Sequence, residues 1–225
     1  MVSGHNTESG DLMSKLKSNM MMSLDGYAAG PEQSPENPFG IGGLQLCEWL
    51  FSLKAFREMQ GEDGGEVNAS TPIVEGWFEN IGATVMGRNM FGGGPGPWEA
   101  DPWMGFWGED PPYHHPVFIL THHPRDPVEM QGGTTFNFVT DGIESALEQA
   151  RATAGGKDVS LGGGPSTVQK YLAAGLLDEL LISLVPVFLG AGTRLLDNQG
   201  AAPRRPVQTE VVEAPGVTHL RYRFG

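Results

Sequence analysis

The stretch Val159-Ser160-Leu161-Gly162-Gly163-Gly164-Pro165-Ser166-Thr167-Val168-Gln169-Lys170-Tyr171-Leu172 constrains the fold more than any other. Val159 and Leu161 suit a short buried strand. Three glycines then remove every Cβ where the chain must turn and where another molecule can come close. Ser166 or Thr167 is placed to cap a following helix, whose apolar stripe is Val168, Tyr171 and Leu172 and whose stop is Gly175. A helix N-terminus behind a glycine turn presents free N–H groups and the positive end of the helix dipole, which together suit a phosphate. The same turn also serves as a plain strand-to-helix connection. Its chemistry depends on what else reaches the same edge.

Around this unit, strands and helices mostly alternate. Strands are expected at 16–24, 83–86, 116–121, 136–139, 179–188, 207–212 and 218–224. Helices are expected at 48–59, at 72–81 with Thr71 as N-cap and Pro72 in first position, and at 142–154 with Asp141 and Glu144 as a capping box. Residues 31–43 form a long Pro/Gly/Asn/Ser loop, and residues 95–115 a loop rich in Trp and Pro. The total is about eight strands and four helices, which implies a largely parallel sheet with helices on both faces. Residues 1–15 read as a mobile tail and 16–225 as one domain.

The balance of 14 Lys plus Arg against 27 Asp plus Glu gives a net charge of −13. That repels nucleic acid and anionic membrane surfaces, yet leaves room for one phosphorylated ligand in a local pocket. Cys47 is the single cysteine, so neither an intrachain disulfide nor a cysteine zinc cluster can form. No apolar run is long enough to span a membrane, the first residues do not resemble a signal peptide, and a cytoplasmic location fits.

In sheets of this kind, sites lie at the carboxyl ends of strands. Four turns fall there: after Leu24, after Met86, after Leu120 and after Leu161. Arg88 and Arg125 bring cations to two of them, and Thr121 with His122 or His123 adds hydrogen-bond donors. With the glycine turn they can hold the phosphates of a dinucleotide. Read singly, Arg125 is also a solvated turn residue and the histidines a surface pair.

Ser23-Leu24-Asp25-Gly26-Tyr27, Val85-Met86-Gly87-Arg88-Asn89-Met90-Phe91, Leu161-Gly162-Gly163-Gly164 and Pro186-Val187-Phe188-Leu189-Gly190-Ala191-Gly192-Thr193-Arg194-Leu195-Leu196 occur in that order. Together they resemble the dihydrofolate-reductase-like family, and more closely the stand-alone relatives of the reductase domain of bacterial riboflavin biosynthesis. The resemblance implies a three-layer α/β/α fold with a mixed central sheet and an antiparallel C-terminal strand. It implies NADPH as hydride donor and often a homodimer. Carried over by position, Gly87, Arg88, Asn89 and Met90 would meet the diphosphate from one side. Gly163, Gly164, Pro165, Ser166 and Thr167 would meet it from the other. Thr121, His122 and Arg125 would select the 2′-phosphate. Leu24, Asp25, Gly26, Leu161 and Gly162 would border the nicotinamide.

A hydride reductase needs close placement of two carbons, exclusion of water, and one proton. Asp25 and Glu75 are the candidate proton donors; alternatively Asp25 is a turn former and Glu75 a helix-terminus stabiliser. The zinc signature of the deaminase domain that often accompanies the riboflavin reductase is absent, since Cys47 stands alone. Residues 72–82 hold no Arg or Lys, where the riboflavin reductases grip a ribose phosphate. A phosphosugar is therefore not expected, and the insertion from Pro31 to Gly65 with the Trp-rich loop 95–115 points to a flatter, more apolar heterocycle, such as a pterin or aminopyrimidine. The competing expectations are a binding protein that kept the fold without activity, and a metal hydrolase using His114, His115, His122 and His123. Adjacent histidines in strands point to opposite faces, so no metal is expected.

Overall fold

A computed structural model describes residues 14–34, 36–94, 96–99, 103–197 and 205–225. Residues 1–13 of the expected tail, and Pro95 and Pro102 of the aromatic loop, lie outside that set. Within it, Ser14 Oγ donates to the Lys157 carbonyl (2.6 Å) and Lys15 N to Asp158 Oδ1 (2.9 Å), so the last two residues of the expected tail are tied to the sheet.

The first half comprises β1 (Leu16–Ser23), β2 (Tyr27–Ala29), α1 (Glu48–Phe51), α2 (Lys54–Met59), α3 (Thr71–Glu75), β3 (Ile81–Gly87) and α4 (Arg88–Phe91). The second comprises β4 (Pro116–Leu120), β5 (Val128–Glu129), β6 (Thr135–Val139), α5 (Ile143–Thr153), β7 (Asp158–Leu161), α6 (Pro165–Ala174), β8 (Glu179–Val185), β9 (Thr193–Arg194), β10 (Val207–Ala214) and β11 (Val217–Arg223). Nine strands form one sheet in the order β10-β11-β8-β1-β7-β3-β4-β6-β5. The six from β8 to β6 run parallel, with antiparallel β11 and β10 at one edge and β5 at the other.

Side chains alternate across a strand, so each central strand feeds two layers. Ala83, Val85, Phe118, Val159 and Leu161 bury against Ala146, Leu147 and Ala150 of α5 and Val168, Tyr171 and Leu172 of α6. On the other face Met86, Val117, Ile119 and Phe136 meet Phe91, Trp98, Trp107 and Tyr113. Beside them, Met21, Val185 and Val217 meet Trp49, Leu50, Leu53 and Val74. Each fully buried aliphatic side chain stabilises the fold by about 1.5–3 kcal/mol. The expected three layers and antiparallel C-terminal strand are present.

Several boundaries differ from expectation, each for a local reason. The 48–59 helix breaks at Leu53, whose backbone is extended (ψ 134°) because its neighbours pair with Glu66: Lys54 N donates to Glu66 O and Glu66 N to Ser52 O. The 72–81 helix ends at Glu75 and tightens to a single 3-10 turn over Gly76–Phe78. Ser70, not Thr71, is its N-cap, and Thr71 Oγ1 accepts from Asn68 N instead. Gly142 and Gly164 occupy the N-caps of α5 and α6, with no side-chain cap at either. Asp141 therefore makes no capping box, and Ser166 and Thr167 are freed from capping because Pro165 opens α6. The 179–188 strand stops at Val185, before Pro186, which has no N–H for a ladder. The short pair β2–β9 and edge strand β5 carry too few residues to show a period.

Glu179 anchors the antiparallel edge. It is buried, and its carboxylate meets Arg221 Nη1 (2.7 Å) and Arg223 Nε (3.3 Å). Burial pushes its pKa up, but the arginines outweigh this and hold it below the usual range. A depressed folded pKa stabilises above the unfolded carboxylate range and fades as pH falls through the folded value. Glu179→Gln should thus lower unfolding free energy by about 2–3 kcal/mol at pH 7. In urea titrations the gap between wild type and variant should close below about pH 4.

Candidate functional site

Because β1, β7, β3 and β4 are parallel, their carboxyl ends share one edge of the sheet. All four predicted turns therefore lie on that edge. Two of them touch: Gly87 N donates to the Gly163 carbonyl (2.8 Å), and Gly162 N to the Val85 carbonyl (2.8 Å). A Cβ on Gly87 would collide with Thr167 Oγ1, whereas one on Gly164 would meet nothing within 4 Å. Glycine at 87 allows the close approach; glycine at 164 faces open space beside the α6 N-terminus. The peptide between Gly163 and Gly164 is cis.

Next along the edge, two cations meet around one indole. The Arg88 guanidinium lies 3.2 Å from the Trp98 ring centroid, and Arg125 4.9 Å from it. Arg88 Nη1 donates to Thr121 Oγ1 (3.3 Å), while Nε and Nη2 reach the Gly92 and Gly93 carbonyls. Arg125 donates to the Trp103 carbonyl (2.6 Å) and stacks on Phe138. Trp98 is fixed by its N–H to the His123 carbonyl (3.0 Å). Among the described residues neither arginine has a carboxylate partner. Burial, then the Arg125 charge, disfavours the charged form of Arg88. Two like charges without a counter-ion, on an otherwise acidic chain, form a ready anion site.

Beside the edge lies a cleft of about 320 Å³. Its floor is Asn19, Met20 and Met21 of β1, Thr84 of β3, Ser160 and Leu161 of β7, and Ser183 of β8. Phe56, Met59, Trp77 and Phe78 form one wall; Met90, Trp107 and Tyr113 form the other. Met90, Leu161 and Gly162 belong to both cleft and glycine edge. Among the described residues that line it there is no Asp, Glu, Lys, Arg or His.

The model of the RibD C-terminal domain family matches residues 14–215. The chain belongs to the RibD C-terminal domain family.

Solved structures agree on the fold of this RibD C-terminal domain. A protein described as a riboflavin biosynthesis protein from Shewanella sp. PV-4 matches with a TM-score of 0.61 at 20% identity, over 94% of this chain and 99% of that one. The deaminase/5-amino-6-(5-phosphoribosylamino)uracil reductase of Thermotoga maritima matches at 0.57 and 11% identity, over 95% of this chain but 57% of its own length. A pyrimidine reductase-like protein from Corynebacterium diphtheriae matches at 0.51 and 13%, over 94% and 92%. No curated protein matches the sequence.

In this RibD C-terminal domain the two expected proton donors stand elsewhere. Asp25 accepts from Ser23 Oγ (2.5 Å), Gly190 N (2.7 Å) and Leu189 N (3.2 Å). The Ser23 hydroxyl, helped by these amides against burial, holds its carboxyl below the usual range. It clamps the β1 turn to residues 189–190 and is absent from the cleft lining, so it is a poor acid. Glu75 is exposed at the last position of α3, also outside the lining. Neither carboxylate is among the described residues that line the cleft: Asp25 is engaged in the turn clamp, and α3 ends at Glu75. Leu24 is 49% exposed, and Gly26 sits in the β1 turn at φ 88°. Asn89, His122 and Ser166 are exposed on the edge; Thr121 and Thr167 are buried in it. Among the described residues no group of three or more His, Cys, Asp or Glu is placed to hold a metal. His114 bonds the Gly132 carbonyl and His115 bonds Thr84, so the histidine pairs do not converge.

Sequence reasoning missed Trp98 as the shared platform and the floor hydroxyls of Thr84 and Ser183. Only a run of aromatics at 98–107 hinted at the first. Each hydroxyl is backed by a histidine: Thr84 Oγ1 by His115 Nε2 (2.8 Å), Ser183 Oγ by His219 Nδ1 (2.9 Å). Burial pushes both rings down to about 4, aided at His115 by the His114 and Lys157 charges.

Two outcomes follow for the domain. Gly87→Ala should cost about 1–3 kcal/mol of stability, and adding Thr167→Ala should restore most of it, as read by urea unfolding. The His115 and His219 rings should show no titration by NMR above about pH 5. The unfolded chain protonates at higher pH than these folded rings, so stability falls as pH drops from 6.5 towards about 4.

Proposed function

We propose that the protein is an NADPH-dependent reductase that delivers a hydride to a small heterocycle held in the cleft. The observation carrying this reading is the pair of carboxylate-free arginines, joined on Trp98 at the same sheet edge as the Gly87–Gly163 contact. Membership of a family whose solved relatives include proteins named as reductases supports it.

The residues present fit the nucleotide. Gly163, Gly164, Pro165, Ser166 and Thr167 offer a helix N-terminus beside open space for a diphosphate, with Gly87, Arg88, Asn89 and Met90 across from it. Thr121, His122, Arg125 and the Arg88 guanidinium hold the 2′-phosphate. Leu161 and Gly162, at the seam of edge and cleft, border the nicotinamide; Leu24 and Gly26 close the same end. When bound, NADPH supplies the hydride. The chain's part is placement: apolar walls of Trp77, Phe78 and Trp107 exclude water and orient the acceptor ring. With no carboxylate among the described lining residues, the proton comes from solvent, through a water that a floor hydroxyl positions. Tyr113, its pKa pushed up by burial, keeps its proton and adds a further hydroxyl.

Among the described residues no helix is long and apolar enough to cross a membrane, in keeping with a protein acting on a small diffusible molecule. Arg125→Ala should weaken NADPH binding about tenfold or more while leaving NADH nearly unchanged, as the loss of one charge-assisted contact demands. Tryptophan quenching reads both affinities. Equal loss for the two nucleotides contradicts the phosphate assignment, and NADPH binding without oxidation by any ring acceptor favours a binding protein over a reductase.

A further inference from the structure

The electrostatics of edge and cleft are opposite. Among the described residues, the edge holds two cations without a carboxylate partner, the cleft lining holds no charged side chain, and the basic residues of its floor strand and α2 wall are paired. Lys54 and Arg57 of the α2 wall pair with Glu58 (3.5 Å) and Glu62 (3.3 Å). Lys17, two residues before Asn19 on the floor, pairs with Asp158 (2.5 Å). A phosphate carried into this cleft would lose its water without gaining a cation, which costs several kcal/mol. Aromatic and methionine walls instead favour the face of a flat ring.

The floor supplies a hydrogen-bonding group of defined character. His219 lies opposite Ser183 on the neighbouring strand, and Met21 lies opposite it on the other side, forming one row across β11, β8 and β1. His219 is 1% exposed, sits edge-on to Trp49 (5.0 Å), and bonds Ser70 Oγ through Nε2 (2.8 Å) and Ser183 Oγ through Nδ1 (2.9 Å). A neutral imidazole donates from one nitrogen and accepts at the other. When Ser70 donates to Nε2, Nδ1 donates to Ser183, whose own proton then faces the cleft. In the other tautomer Ser183 donates to Nδ1 and offers lone pairs. Either way Ser183 keeps one hydrogen-bonding capacity for a ligand. Trp77, also in the lining, has a buried indole N–H without an acceptor among the described residues.

We propose that the cleft takes a neutral, planar nitrogen heterocycle bearing no phosphate, and that Ser183, positioned by His219, hydrogen-bonds the polar edge of that ring. The proposal deepens the reductase reading and rests on it for the cleft being the acceptor site. It separates this chain from any enzyme acting on a phosphoribosyl substrate.

The test uses the full chain and two probes that differ only in a phosphate: 6-hydroxymethylpterin and its monophosphate ester. Pterin fluorescence should show the unphosphorylated ring binding about tenfold tighter or better. Ser183→Ala should weaken ring binding about fivefold, as for one lost hydrogen bond, without moving NADPH affinity. If Ser183→Ala fails to fold, Ser183→Cys carries the same comparison. On adding the ring, the His219 imidazole nitrogens should shift in NMR while those of exposed His122 stay put, a response a purely structural histidine would not give. Equal or tighter binding of the phosphate ester overturns the proposal, as does an unchanged affinity in the Ser183 variants, or no binding of either probe at about 1 mM. NADPH binding on the same preparations reads the reductase assignment separately. Its loss with the ring preference intact sinks that assignment alone; the reverse pattern sinks the proposal alone.

Discussion

The contact on which the arrangement depends is the hydrogen bond from Gly87 N to the Gly163 carbonyl. It joins the carboxyl ends of β3 and β7 at the point where both strands turn into helices. The approach is close enough that no side chain fits at position 87, and Thr167 fills the space a Cβ would need. This one closure sets where α4 and α6 begin. It therefore sets where Arg88 projects and where the N-terminus of α6 points. Arg88 in turn reaches Thr121 at the end of β4, tying a third strand end into the same edge.

From that edge the molecule divides its chemistry by face and position. Cations gather at the ends of β3 and β4, held among the described residues by carbonyls, a hydroxyl and an indole rather than by acids. Among the described residues, the adjoining cleft is lined by hydroxyls, amides, thioethers, aromatic rings and a few aliphatic groups, with no charged side chain. Behind its floor, half-buried His115 and buried His219 are kept neutral by desolvation and bond the Thr84 and Ser183 hydroxyls. An acidic chain can thus present one local anion site and one uncharged slot side by side, each effective because the other's groups are kept out of it.

Much of this was legible because it rests on backbone requirements. Glycines at 87 and 162–164, and the alternation of apolar residues in β3, β4 and β7, report geometry directly. Arg88 and Arg125 stood out because cations are few. What stayed hidden depends on distant pairings. Asp25 looks like an acid beside a site until residues 189–190 fold back and bond it. Glu75 is exposed at the last residue of α3, a placement that the helical pattern after Thr71 does not announce. Ser183 and His219 lie 36 residues apart, and only the β8–β11 register makes them neighbours. Trp98 belongs to a loop without a period, so nothing in its spacing announces that two arginines converge on it.

As proposed here, one sheet edge grips a phosphorylated nucleotide and hands its reactive ring to the adjoining cleft. A crystal structure of the complex with NADP⁺ tests it most directly. The account predicts the 2′-phosphate between Arg88 and Arg125, the diphosphate over Gly163–Gly164, and the nicotinamide at the seam formed by Met90, Leu161 and Gly162. A nucleotide bound elsewhere, or with its phosphates away from both arginines, would contradict it.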